Sequence, residues 1–271
     1  MPELPEVETV VRGLSLAVTG HSLSSITFYR DKIREDIPTQ LFRELFEGQP
    51  ILDIFRRGKY IILRTDLGFG LIHLGMSGVL ALESQALPLP RHTHFTANID
   101  STSERLRFTD PRRFGRLGAV KALEDCIWLS SLGVEPLIQR NLGGYLGKMA
   151  KNRKVPIKNF IMDSKILVGV GNIYASESLF DAGISPLRSA NSLSKIEWLR
   201  LSKSIQSILK KAIKAGGTTL KDYRTSGGEM GYFVNELMVY GKKEPCWKCR
   251  SPITQIRQSG RSTWFCSGCQ K

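Results

Sequence analysis

The 271 residues predict an α+β chain of more than one domain, on three observations. The first 136 residues alternate short Val-, Ile-, Leu- and Phe-rich runs with Gly, Pro and Asp breaks, the spacing of a β-sandwich or barrel. Beyond Pro136 the apolar residues recur at helical spacing. Four of the five cysteines fall in the last 26 residues, as two Cys-x2-Cys pairs.

Each element follows from local pattern. The opening "MPELPEVETV" begins a helix whose apolar face carries Val7, Val10, Val11, Leu14 and Val18, and Pro5 sits where a helix start needs no amide donor. Seven runs then read as strands: "SSITFY", "ILDIF", "KYIILRT", "FGLIHL", "HFTANI", "RLRFTD" and "GRLGAV". In the second half "SLSKIEWLRLSKSIQSILKKAIKAGG" is a helix with Ser194 and Glu197 at capping-box spacing, lysines 210, 211 and 214 in the last turn, and Gly216 as its stop. The stretch "GGTTLKDYRTSGGEMGYF" is too broken for a core element and reads as a mobile loop. There is no internal repeat.

Composition narrows the partners. With 41% hydrophobic and 24% charged residues the chain is an ordinary globular mix. No basic stretch followed by an apolar run opens it and no segment approaches eighteen apolar residues, so a cytoplasmic protein that does not engage a membrane is expected. The net charge is +14, but residues 1–136 carry 16 basic against 17 acidic side chains and residues 137–271 carry 23 against 8. The whole excess lies in the C-terminal half, which points to a polyanion, because each neutralised phosphate releases condensed counterions.

Cys246, Cys249, Cys266 and Cys269 form two knuckles separated by sixteen residues, enough for a β-hairpin. Four thiolates at that spacing suit one tetrahedral Zn2+, and a site closed by four sulfurs leaves no open position for chemistry, so the zinc is expected to be structural. A pair of disulfides is the alternative, disfavoured in a chain without a secretory signal. Cys126 lies at no ligand spacing and reads as a small buried hydrophobe. Arg250, Arg257 and Arg261 between the knuckles offer guanidinium groups to phosphates, or simply a solvated basic face.

Helix formation explains Pro5 but not Pro2 and Glu3. Loss of Met1 would leave Pro2 with a free secondary amine, and α-amino groups titrate near 8, so a useful fraction is neutral and nucleophilic. Attack of such an amine on a sugar C1′ gives an iminium ion that is cationic without a proton and acidifies the C2′ hydrogens. Glu3 would protonate the sugar ring oxygen or shuttle protons. Glu6 and Glu8 have a simpler reading, as carboxylates complementing the helix dipole.

"PELPEVETV", "RRGKY", "HLGMSG", "DPRRFG", "GVGNIYASESLF" and the terminal knuckles, in that order, together resemble the formamidopyrimidine-DNA glycosylase family from end to end. The resemblance implies removal of oxidised purines, chiefly 8-oxoguanine and formamidopyrimidines, from duplex DNA, and strand nicking by β,δ-elimination. It implies Pro2 as nucleophile, Glu3 as proton donor and Lys59 as the essential lysine beside the lesion. Met76, Arg112 and Phe114 would fill the gap left by the extruded base, whose unstacking costs a few kcal/mol. Lys158, Asn172, Arg261 and His73 would contact backbone phosphates, with "PIKNFIMD" and "GVGNIYASESLF" forming a helix-two-turn-helix. The glycine-rich loop would cover the base, with Thr219 and Lys221 as contacts. The expected organisation is a catalytic helix and β-sandwich over residues 1–134, a helix-two-turn-helix domain with the lesion loop over 135–241, and a zinc finger over 242–271, in a monomer.

Read without the resemblance, Lys59 is a basic turn residue, Phe114 a core residue, Met76 part of a turn and His73 a buried structural histidine. Asn159 replaces a proline common among relatives, and "YGKKEPC" is one residue shorter than a common form. Two alternatives stay open: a sister glycosylase acting on oxidised pyrimidines, in which glycine is usual where this chain has Leu4, and a DNA-binding protein without activity.

Overall fold

The computed structural model describes residues 2–218 and 233–271. Met1, Thr219 and Lys221 lie outside them, and with them nearly all of the glycine-rich stretch. The chain divides into two compact units, residues 1–131 with 219–231, and residues 132–218 with 232–271.

The first unit opens with helix α1 (Leu4–Val18), whose buried face is the one the apolar spacing marks. Strand β1 (Leu23–Phe28) and helix α2 (Thr39–Phe46) follow, then β2 (Asp53–Arg57), β3 (Tyr60–Arg64), β4 (Phe69–His73), β5 (Val79–Ser84), β6 (Thr93–Ile99), β7 (Glu104–Thr109), β8 (Arg116–Val120) and the short helix α3 (Ile127–Ser130). The strands form two four-stranded antiparallel sheets, in the orders β1-β6-β7-β5 and β2-β3-β4-β8. Side chains of both sheets and of helices α1 and α2 share one core, in which Phe42 stacks on Phe46 at 4.7 Å and meets Phe95 edge-on at 5.4 Å. Two elements go beyond the seven strand runs. Helix α2 is only eight residues long, yet Phe42, Leu45 and Phe46 give it a buried stripe. Strand β5 lies at a sheet edge with only Leu80 and Ala81 buried, and its apolar run Val79, Leu80, Ala81 and Leu82 lacks the alternation that marks a half-buried strand.

The second unit holds α4 (Leu142–Ala150), α5 (Ile157–Ile161), α6 (Asn172–Asp181) and α7 (Lys195–Lys214), then the hairpin β9 (Ile253–Gln258) and β10 (Arg261–Cys266). The reciprocal capping of α7 by Ser194 and Glu197 is present as the spacing predicts, and Arg188 also pairs with the Glu197 carboxylate. The hairpin is fastened to the helices from within this unit by Lys158 of α5, which donates to Ser262 and Thr263 of β10.

Candidate active site and nucleic-acid interface

Pro2 and Glu3 are both buried at the start of α1. Glu3 is the residue before the first helical turn, and its amide donates to Glu6 Oε2 at 2.9 Å, which satisfies one of the donors a helix start leaves without a partner. One turn on, Glu8 reaches across to the sheet. Its carboxylate accepts from Arg56 Nε at 3.0 Å and from Arg12 Nε at 2.9 Å, while Arg56 Nη1 donates to the carbonyl of Gly58 at 3.0 Å. Burial pushes the Glu8 pKa up, and the two guanidinium groups outweigh it, holding the carboxylate ionised. Through this ion pair α1 is tied to the β2–β3 turn that carries Lys59.

His73 ends β4, opposite Tyr60 of β3 and Arg116 of β8. Loss of water, then the charges of Lys59, Arg116 and Arg34, push its pKa down to about 4. The ring is therefore neutral near pH 7, and because Nδ1 accepts from the Gly75 amide at 3.0 Å its proton sits on Nε2. Gly75 has φ +65°, and a Cβ there would lie 2.5 Å from the Phe114 carbonyl carbon, so only glycine lets the 74–78 and 110–115 turns approach this closely. Asp110, fully buried, ties the same two turns. It accepts from Ser77 Oγ at 2.6 Å and from the Gly115 amide at 2.7 Å. Those turns carry Met76 and Phe114, each 41% exposed, and Arg112, whose guanidinium stacks on the Phe114 ring at 4.9 Å. Phe114 is thus a surface aromatic, not the core residue its sequence context alone suggests.

In the second unit Lys158 is 1% exposed. Its Nζ donates to Asn172 Oδ1 at 2.6 Å, Thr263 Oγ1 at 2.8 Å and the Ser262 carbonyl at 3.1 Å, while Asn172 Nδ2 donates to the Ser262 carbonyl at 2.9 Å and to Tyr240 Oη at 3.2 Å. Asn159 Nδ2 donates to Ser259 Oγ at 2.6 Å, so this residue also grips the hairpin. Arg261 is exposed at the start of β10. Glu177, 2% exposed in α6, accepts from the amides of Met238, Val239 and Tyr240 at 2.8, 3.0 and 2.8 Å. That carboxylate fixes the segment bearing Tyr240 just ahead of the first knuckle.

The four knuckle sulfurs lie within 4.8 Å of one another, with Cys249 Sγ 3.3 Å from Cys266 Sγ and Cys246 Sγ 3.8 Å from Cys269 Sγ. A Zn–S bond of about 2.3 Å gives a tetrahedron edge of about 3.8 Å, so the cluster fits one zinc. None of the four is in a disulfide, and Cys126, in the first unit, is a free buried cysteine.

Two family models match this chain: the formamidopyrimidine-DNA glycosylase N-terminal domain over residues 1–117 and the H2TH domain of the same enzymes over residues 132–224. The formamidopyrimidine-DNA glycosylase of Vibrio atlanticus is 45% identical with both chains covered in full. The chain belongs to the formamidopyrimidine-DNA glycosylase family. MutM (FPG) from Thermus thermophilus superposes with a TM-score of 0.88 at 38% identity, covering 99% of this chain and 98% of that one. A mutant FPG of Lactococcus lactis, crystallised with Fapy-dG containing DNA, gives 0.91 at 32% identity with both chains covered in full. The α+β architecture, the helix-two-turn-helix region and the cysteine cluster agree with this DNA glycosylase family. Among the described residues no helix is long and apolar enough to cross a membrane.

Three contributors have a role that their sequence context does not give. Arg56 lies in "RRGKY" and Glu8 in "PELPEVETV", but they are 48 residues apart and meet only in the fold. Tyr240 is isolated in sequence. Glu177 did leave one signal, as the only charge in α6 before Asp181.

Proposed function

We propose that the chain is a bifunctional DNA glycosylase and AP lyase that excises oxidised purines, 8-oxoguanine and formamidopyrimidines, from duplex DNA. The observation that carries this reading is the pair of buried residues Pro2 and Glu3 at the head of α1, a helix tied through Glu8 and Arg56 to the turn of Lys59. After removal of Met1, the Pro2 nitrogen attacks C1′ and the damaged base leaves with the electrons of the glycosidic bond. Glu3 protonates O4′ as the sugar ring opens, leaving an iminium ion between Pro2 and C1′. Loss of a C2′ proton expels the 3′ phosphate. A second elimination expels the 5′ phosphate, and hydrolysis frees Pro2.

Lys59 lies close enough to His73 for its charge to be felt there, and the two form a phosphate-facing pair in this reading: a cation and a neutral N–H donor. Met76, Arg112 and Phe114 enter the gap left by the extruded base. An exposed thioether, a guanidinium already stacked on an aromatic ring and that ring itself suit a wedge, which recovers part of the unstacking cost of a few kcal/mol. Asn172 and Arg261 contact the backbone; Lys158, expected among the phosphate contacts, is buried with its three donors spent on Asn172, Thr263 and Ser262, so it braces that surface from behind, and a zinc bound by the four cysteines would hold the hairpin that presents Arg261. Thr219 and Lys221, outside the described residues, remain candidate lesion contacts.

Borohydride reduction during turnover tests the reading. An 8-oxoguanine:cytosine duplex is expected to become covalently attached to the wild-type protein and not to Pro2→Gly with Met1 retained. Tight lesion binding without any adduct overturns it. Excision of thymine glycol in strong preference to 8-oxoguanine would assign the pyrimidine branch instead.

A further inference from the structure

Behind His73 lies a cluster that the reaction does not use. Tyr60, His73 and Arg116 are direct neighbours across β3, β4 and β8, on one face of the sheet. The Tyr60 and His73 rings are 4.8 Å apart, and Arg116 Nη1 donates to Tyr60 Oη at 3.0 Å. Arg116 is itself held from two further sides. Its Nη2 lies 2.7 Å from Glu35 Oε1, and its guanidinium sits 5.3 Å over the Trp128 ring. Trp128 Nε1 donates to the other Glu35 oxygen at 2.9 Å and stacks nearly parallel to Tyr60, with 6.1 Å between centroids. The indole fits because residue 118 is glycine: a Cβ there would come within 2.6 Å of the six-membered ring.

An arginine fixed by a carboxylate, a phenol and an indole has almost no rotamer freedom left, and neither has the Tyr60 ring it grips. On its other side His73 is held by the Gly75 amide at Nδ1. The imidazole is therefore confined between Tyr60 and the backbone of the turn that leads to Met76, and its Nε2–H keeps one direction.

Resting on the reading of His73 as a phosphate contact, we propose that Arg116 is a positioning residue which, through Tyr60, orients the His73 imidazole for the DNA backbone. A clamp of this kind raises affinity by lowering the ordering cost on binding. It touches no reacting atom, so it acts on binding more than on chemistry.

The test is a double-mutant cycle read on the dissociation constant for a duplex carrying a tetrahydrofuran abasic analogue, which needs no chemistry. Arg116→Met keeps most of the volume and is expected to weaken binding about tenfold, and Tyr60→Phe, which removes only the hydroxyl, about threefold. In a His73→Gln background both losses should vanish, and the single-turnover excision rate at saturating protein should fall less than binding does. The imidazole 15N shifts of Arg116→Met should also depart from the pure Nε2–H pattern of the wild type. Binding within twofold of wild type for both variants overturns the proposal, and so does an equal loss with and without His73. If Arg116→Met does not fold, Tyr60→Phe alone decides by the same criteria. A missing Pro2 adduct would fail the catalytic reading without touching this coupling.

Discussion

Replacing Glu177 with Gln keeps the shape of the side chain and removes its charge, which makes the worth of this carboxylate calculable. Three backbone amides, of Met238, Val239 and Tyr240, converge on its two oxygens at 2.8–3.0 Å. A glutamine has one oxygen, so it accepts two of them as neutral bonds and turns an NH2 toward the third. Hydrogen bonds to a charged group contribute about 1.5–3 kcal/mol against about 1 for neutral ones, and a buried amide without an acceptor costs about 1–3, so the gross loss is about 3–5 kcal/mol. An offset applies, because burial pushes the Glu177 pKa up more than the three amides and Lys242 pull it down, so the buried carboxylate carries a penalty that glutamine lacks. Allowing about 1–2 kcal/mol for that relief leaves a net loss of about 1–4 kcal/mol. Urea unfolding measures it, and amide exchange at residues 238–240 localises it. Because Tyr240 bonds Asn172, DNA affinity should fall as well. A loss under about 0.5 kcal/mol with those amides as protected as in wild type would mean that the carboxylate does not hold this segment.

One zinc per chain should be found by elemental analysis, and its chelation should lower the melting temperature and abolish DNA binding; a metal-free, fully active preparation would contradict the site. Arg56→Leu should loosen the Lys59 turn and cut the single-turnover rate about tenfold while changing duplex affinity little, since the turn and α1 lose their shared partner. The hydrogen bond from Arg188 holds the Glu197 pKa down at about 2, against the smaller effect of burial, with help from Ser194. A carboxylate with a depressed pKa stabilises the fold above about 4.5 and loses that contribution as pH falls toward 2. Glu197→Gln should therefore cost about 1 kcal/mol at pH 7, after discounting for solvent screening, and only a small part of that at pH 2.

What the sequence revealed and what it concealed divide along a physical line. Local rules were legible: the apolar face of α1, the capping box of α7 and the paired knuckles are each set by residues within a few positions of one another. The eight residues of α2 and the edge strand β5 were harder to read, because α2 spans barely two turns and the apolar residues of β5 do not alternate. In the candidate site, Pro2 and Glu3 stood out because helix formation left them unexplained. The contacts that position the candidate machinery, Arg56 on Glu8, Asp110 beneath the wedge turns, and Glu177 beneath Tyr240, join residues that are distant in sequence and become neighbours only after folding. Glu8 shows the difference clearly. Alone it complements a helix dipole, whereas in the fold it anchors the turn of the candidate lysine.

The central claim, that a secondary amine at residue 2 bonds to the deoxyribose, is tested most directly by digesting the borohydride-reduced complex and sequencing the modified peptide by mass spectrometry. The sugar remnant is expected on the nitrogen of Pro2, in molecules that have lost Met1. A remnant on Lys59 or any other lysine, with Pro2 unmodified, would contradict it.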